Sequence, residues 1–140
     1  MILERKGDLF LVSASSSLAH CISKDCKLGA GIARKFRQKF GRIDKLKSMD
    51  TRVGKAAPIQ INNRFIYNLI TKEHYWDRPT YDSLRQSLIS MRVHALKHNV
   101  IEICMPKIGC GLDRLEWKKV RTILDDVFGT GSINITVYTK

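Results

Sequence analysis

Apolar and polar positions divide the chain into short runs of strand length and longer runs with helical spacing. Ile2–Leu3–Glu4–Arg5 predicts a first strand, with a turn at Gly7–Asp8–Leu9–Phe10. Ser17–Leu18–Ala19–His20–Cys21–Ile22–Ser23 is mostly apolar and predicts a second strand. After it comes a Gly-x-Gly loop, Lys27–Leu28–Gly29–Ala30–Gly31–Ile32. Ile32, Phe36 and Phe40 then share one face of a helix that Gly41 stops. Pro58–Ile61 and Arg64–Ile70 predict two strands around an Asn62–Asn63 turn. Tyr81, Leu84, Leu88, Met91 and Ala95 trace a long helix that opens near Pro79 and Thr80 and ends at Asn99. Val100–Cys104 predicts a further strand, Trp117, Val120, Leu124 and Val127 a further helix, and Ile133–Tyr138 the last strand. No repeat, low-complexity tract or linker divides these elements. Their alternation predicts one domain over residues 1–140, a three-layer α/β/α sandwich around a mixed central sheet.

One arrangement occurs twice. A strand, a Gly-x-Gly loop and a helix follow one another at residues 17–40 and again, about 80 residues later, from Val100 through Met105–Leu115 into the Trp117 helix. Glycines let backbone N–H groups approach an anion, and a helix N-terminus adds its positive dipole end. Two such loops on one domain predict a shared anionic ligand. The second loop also carries Asp113, a carboxylate beside the expected anion, which scaffolding does not require.

Charge strengthens that expectation. The chain has 25 basic and 13 acidic residues, a net charge of +12. From Lys24 to Lys55 there are eleven basic residues against three acidic ones, and the first helix sets Arg34, Lys35, Arg37 and Lys39 away from its Phe36–Phe40 face. A polyanionic partner fits this balance, and so does a basic face kept for solubility. No run is apolar enough for a signal peptide or a bilayer span. The four cysteines (Cys21, Cys26, Cys104, Cys110) lack paired spacing, so an intracellular, reduced protein is expected.

Three groups could carry chemistry. His94 and His98 lie four apart on the long helix, but no third ligand or HExxH pattern accompanies them, so no metal is expected. Cys110, between two glycines, could be a nucleophile with His20 as its base, or a small packing residue. Lys72 ends an apolar strand beside Tyr75 and Trp76, at the rim where α/β sheets hold ligands. Taken by itself it reads as an ordinary surface lysine.

A resemblance changes these weights. Gly7–Phe10, Leu18–Ser23, Gly29–Ala33, Leu69–Lys72, Pro79–Tyr81, Met105–Leu115 and Ile135–Thr139 all resemble macrodomains, in the right order and over nearly the whole chain. The similarity is greatest to the branch that removes ADP-ribose from its conjugates, and Gly109–Cys110–Gly111–Leu112–Asp113–Arg114–Leu115 is its most specific part. The resemblance implies an ADP-ribose cleft. In it, Asp8 accepts from the adenine amino group with Leu9 beside it. Gly29, Ala30, Gly31 and Ile32, with Lys107, Ile108, Gly109, Cys110, Gly111 and Leu112, hold the diphosphate and distal ribose. His20 and Ser23 lie near the cleft, and Tyr138 and Lys140 border the adenine.

The resemblance also implies catalysis by Lys72 and Asp113. Lys72 attacks the anomeric carbon of the distal ribose, and Asp113 moves protons so that water resolves the adduct. The Asn-Ala-Ala-Asn element of other macrodomains is replaced here by His20–Cys21–Ile22–Ser23, which fits the lysine route better than water activation. The expected function is hydrolysis of ester-linked ADP-ribose on glutamate or aspartate, on O-acyl-ADP-ribose or on DNA thymidine. The alternatives are a non-catalytic ADP-ribose reader and a basic nucleic-acid-associated module. No cofactor is expected. The other expectations are a monomer, a nuclear or cytoplasmic location, a part in the DNA damage response, and contact with RNA, DNA or poly-ADP-ribose through the basic face.

Overall fold

The computed structural model describes residues 1–140. Its six strands are β1 (Ile2–Lys6), β2 (Ser17–Ser23), β3 (Ala56–Ile61), β4 (Arg64–Lys72), β5 (Glu102–Met105) and β6 (Asn134–Thr139). Its helices are α1 (Gly31–Phe40), α2 (Ile43–Lys47), α3 (Tyr81–Lys97) and α4 (Trp117–Phe128). The strands form one mixed sheet in the order β1-β6-β5-β2-β4-β3. Every neighbouring pair is parallel except β3 and β4, which form the antiparallel hairpin around Asn62–Asn63.

Period-two alternation sends each strand's side chains into two cores. Ala19 of β2 and Tyr67 and Leu69 of β4 enter the core under α3 and α4, with Leu84, Leu88, Met91, Val120 and Leu124. Leu18, Ile22, Ile66 and Ile70 enter the other, under α1 and α2, with Phe36 and Leu46. The result is the expected three-layer α/β/α sandwich. No helix is long and apolar enough to cross a membrane.

Two elements differ from the sequence expectation. The strand predicted from Val100 begins at Glu102, because the end of α3 claims the residues before it. Asn99 adopts φ 58° and the Val100 N–H bonds back to the Ala95 carbonyl at 2.9 Å, closing a left-handed helix cap. The short α2, hidden within the basic run, buries Leu46 and was too brief to show a period.

Parallel strands point their carboxyl ends the same way. The segments leaving β1, β2, β4, β5 and β6 therefore share one rim of the sheet. Loops leave β2 and β5 for opposite layers, so the crevice between these two strands lies where such sheets bind ligands.

Candidate functional site

The segments at this rim contain nearly all the residues singled out above. The loop after β2 leads to α1, whose N-cap, Ala30, has no side chain to satisfy the first-turn N–H groups. Gly31 begins α1 at φ 59°, and a Cβ there would lie 3.3 Å from Leu112 Cδ1. The two glycine loops thus meet across the crevice. In the second loop, Gly109 (φ 73°) turns so tightly that a Cβ would come within 2.8 Å of Leu115 Cδ1. The Leu115 N–H closes this turn on the Gly109 carbonyl at 2.7 Å. Ile108 is buried beneath the loop and Leu112 is exposed on it, while the Lys107 ammonium lies over the Trp117 ring.

Lys72 and Asp113 meet at this rim. Lys72 Nζ donates to Asp113 Oδ1 at 2.6 Å, with the side chains only 13% and 15% exposed. Lys72 ends β4, which is fixed to the start of α3. The Ser83 hydroxyl donates to the Thr71 carbonyl at 2.7 Å, and Thr80 and Ser83 cap the helix reciprocally. A charge pair this close and this dry is a strong, directional contact.

Cys21 lies under the pair, with the Gly109 N–H directed at its sulfur. Burial, then the charges of Asp113 and Cys110, push its thiol well up. Burial also raises Cys110, whose thiol donates to the Ile108 carbonyl. Neither environment favours a thiolate.

The adenine-side candidates gather where β1 and β6 end together. The Gly7 N–H bonds to the Thr139 carbonyl at 2.7 Å, and Tyr138 packs over Gly7. Asp8 is exposed and its Oδ1 accepts from the Phe10 N–H, while Leu9 is buried behind it. Lys140 is exposed beside Lys35, whose pKa its ammonium lowers.

Two candidates are placed away from the cleft surface. His20 is fully buried, stacked on Phe36 with ring centroids 3.8 Å apart, and its Nε2 bonds Asn68 Oδ1 at 2.7 Å. It faces the α1 core, whereas Cys110 packs against the opposite one, so His20 cannot serve Cys110 as a base. Burial lowers the His20 pKa to about 4, partly offset by the Asn68 bond, and its Nδ1 has no partner. Ser23 is also buried, and its hydroxyl donates to Asp25. His94 and His98 stack on each other and meet Phe65 edge-on, and no third potential ligand joins them.

Asp25 had escaped notice in the sequence. One oxygen takes the Ser23 hydroxyl and the Lys27 N–H, and the other takes the Tyr75 N–H at 3.0 Å. Burial alone would raise its pKa, but these hydrogen bonds outweigh it and hold the carboxyl low. An Asp two residues before a loop N–H is a recognisable turn former, which was the available signal.

Two opposed glycine loops and a buried Lys–Asp pair at the carboxyl rim of a three-layer sheet define a class: an α/β domain with a crevice shaped for a phosphate-bearing ligand. Residues 14–124 match the Macro domain family, and the chain belongs to it. It is 48% identical over 134 residues to the ADP-ribose glycohydrolase OARD1 of Bos taurus and to that of Homo sapiens, covering 96% of this chain and 88% of each relative. Among solved structures, the macrodomain of Thermus aquaticus DarG superposes with a TM-score of 0.87 over 100% of this chain and 99% of that one, at 19% identity. Thermosipho africanus DarTG, solved in complex with ADP-ribose, superposes with a TM-score of 0.81 over 98% of this chain and 41% of that one, at 18% identity.

Proposed function

We propose that this chain is an ADP-ribose glycohydrolase that cleaves ester-linked ADP-ribose through Lys72 and Asp113. The observation that carries the reading is the 2.6 Å contact between two nearly buried, oppositely charged side chains beside paired glycine loops. The two OARD1 glycohydrolases at 48% identity support the activity.

In the proposed reaction the glycine loops hold the diphosphate and leave the distal ribose above Lys72. An ammonium cannot attack carbon, so Asp113 first accepts the Lys72 proton as substrate displaces their contact. The freed Nζ electron pair then bonds to the anomeric carbon. The C–O bond to the ester breaks, and the carboxylate departs with that electron pair. Asp113 then releases the proton it took to the departing carboxylate or solvent and takes a proton from the water that adds at the same carbon. The C–N bond breaks with its electron pair returning to Nζ, and Asp113 returns a proton to Lys72 as ADP-ribose leaves. The raised Cys21 and Cys110 thiols below leave the amine as the site's nucleophile.

The ester substrates proposed are mono-ADP-ribosylated glutamate or aspartate and O-acyl-ADP-ribose; ADP-ribosylated thymidine, which has no carboxyl, is proposed as a further, non-ester substrate. The chain would act as a monomer in the nucleus or cytoplasm and take part in the DNA damage response. Arg34, Lys35, Arg37 and Lys39, all exposed on α1, support contact with a polyanion such as nucleic acid or poly-ADP-ribose. A panel of glutamyl-, serine-, acyl- and thymidine-linked ADP-ribose tests the reading. Release from the ester-linked members is expected. Tight ADP-ribose binding without turnover of any member would make the chain a reader instead.

A further inference from the structure

The loop that follows Lys72 exposes two large aromatic side chains and yet holds them firmly. Tyr75 is 57% and Trp76 66% exposed. The His74 ring stacks on Trp76, centroids 4.4 Å apart and the planes nearly parallel. Asp77 fixes that histidine by accepting from its backbone N–H and contacting its Nδ1, both at 3.0 Å. Asp25 takes the Tyr75 N–H, and the Lys24 N–H bonds to the Lys72 carbonyl at 2.8 Å. The aromatic loop is therefore clamped to the segment that leads into the first glycine loop. Exposed rings ordered in advance lose little entropy when a partner arrives, a property of recognition surfaces.

The local charge indicates what that partner is. Glu73 and Asp77 flank the two aromatics, and Glu73 already engages Lys24 at 3.7 Å. Lys24 and Arg78 balance these carboxylates, so a phosphodiester strand would find no net positive charge here, unlike on the basic face of α1. A polypeptide would meet two ring faces for aliphatic stems, with an indole N–H and a phenol to bond its carbonyls.

We propose that Tyr75 and Trp76 grip the polypeptide carrying the ADP-ribose and that Asp25 is the positioning residue that sets them beside Lys72. This rests on the hydrolase reading and adds the determinant of leaving-group size. An acetyl group offers nothing beyond the scissile ester for the rings to hold, whereas a peptide continues from it.

The test uses the full chain with a glutamyl-ADP-ribosylated peptide, O-acetyl-ADP-ribose and a thymidine-ADP-ribosylated oligonucleotide. For Trp76→Ala, the ratio of kcat/KM on the peptide to kcat/KM on O-acetyl-ADP-ribose is expected to fall about tenfold, mainly through KM. Asp25→Asn is expected to lower the same ratio by more than it weakens ADP-ribose binding, a split that general loosening of the fold would not produce. Trp76 is exposed, so its variant folds even if the other does not. An unchanged ratio, an equal loss on all three substrates, or a loss confined to the oligonucleotide overturns the proposal. A wild-type chain that turns over none of the three overturns the hydrolase reading beneath it, which is a different result.

Discussion

Gly109→Ala is expected to damage the second glycine loop by an amount the geometry allows one to work out. At φ 73° an alanine occupies the left-handed region, at a cost of about 1–2 kcal/mol. Its Cβ would also stand 2.8 Å from Leu115 Cδ1, and Leu115 is only 6% exposed, so the leucine has little room to yield. Overpacking of this kind adds about 1–3 kcal/mol. Together the two effects predict a loss of about 2–5 kcal/mol, read as a lower denaturant midpoint with an unchanged m-value. Gly111, two residues on, is the internal control. It has no positive φ, and nothing lies within 4 Å of its virtual Cβ. Gly111→Ala should therefore stay within about 0.5 kcal/mol of wild type. ADP-ribose titration by calorimetry should show the Gly109 variant binding about tenfold more weakly as the loop opens. Equal stability of the two variants would refute the claim that the Gly109 turn is under steric control.

Other outcomes are expected elsewhere. His20 titrates near 4 when folded and near 6.5 when unfolded, so the unfolded chain takes up the proton first and stability falls as pH drops from about 6.5 to 4. The loss approaches about 3 kcal/mol below that window. Urea midpoints measured at pH 7, 5 and 4 should converge between wild type and His20→Gln as the pH falls, and parallel curves would contradict this. Thr80→Ala removes the cap from α3 and should cost about 1 kcal/mol in thermal or denaturant unfolding. Cys110→Ser should keep most turnover of O-acetyl-ADP-ribose, and a loss of about a thousandfold would restore the thiol as nucleophile.

Much of the fold was legible because its signals were local and repeated. β2 is a mostly apolar run, and α1 and α3 carry long periodic faces with stops at Gly41 and Asn99. What failed depended on context. Val100 looks like strand but closes a helix cap, and α2 is five residues long inside a charge run. The glycine loops could be read from backbone chemistry. The Lys72–Asp113 contact could not, because its partners lie 41 residues apart and only the resemblance suggested pairing them. His20 shows the opposite limit. Its type suggested chemistry, but its place in the alternation of β2 turned it into the core. Asp25 shows only the local signal of a turn former, and the donor that ties it to the site, the Tyr75 N–H, reaches it only once the chain is folded.

The central claim is that the amine held by Asp113 does the cleaving. The most direct test is turnover of O-acetyl-ADP-ribose by Lys72→Ala, with ADP-ribose affinity measured on the same preparation. Turnover should fall by at least about a thousandfold while affinity changes only a few-fold. A Lys72→Ala chain that binds ADP-ribose and still cleaves at the wild-type rate would contradict the account.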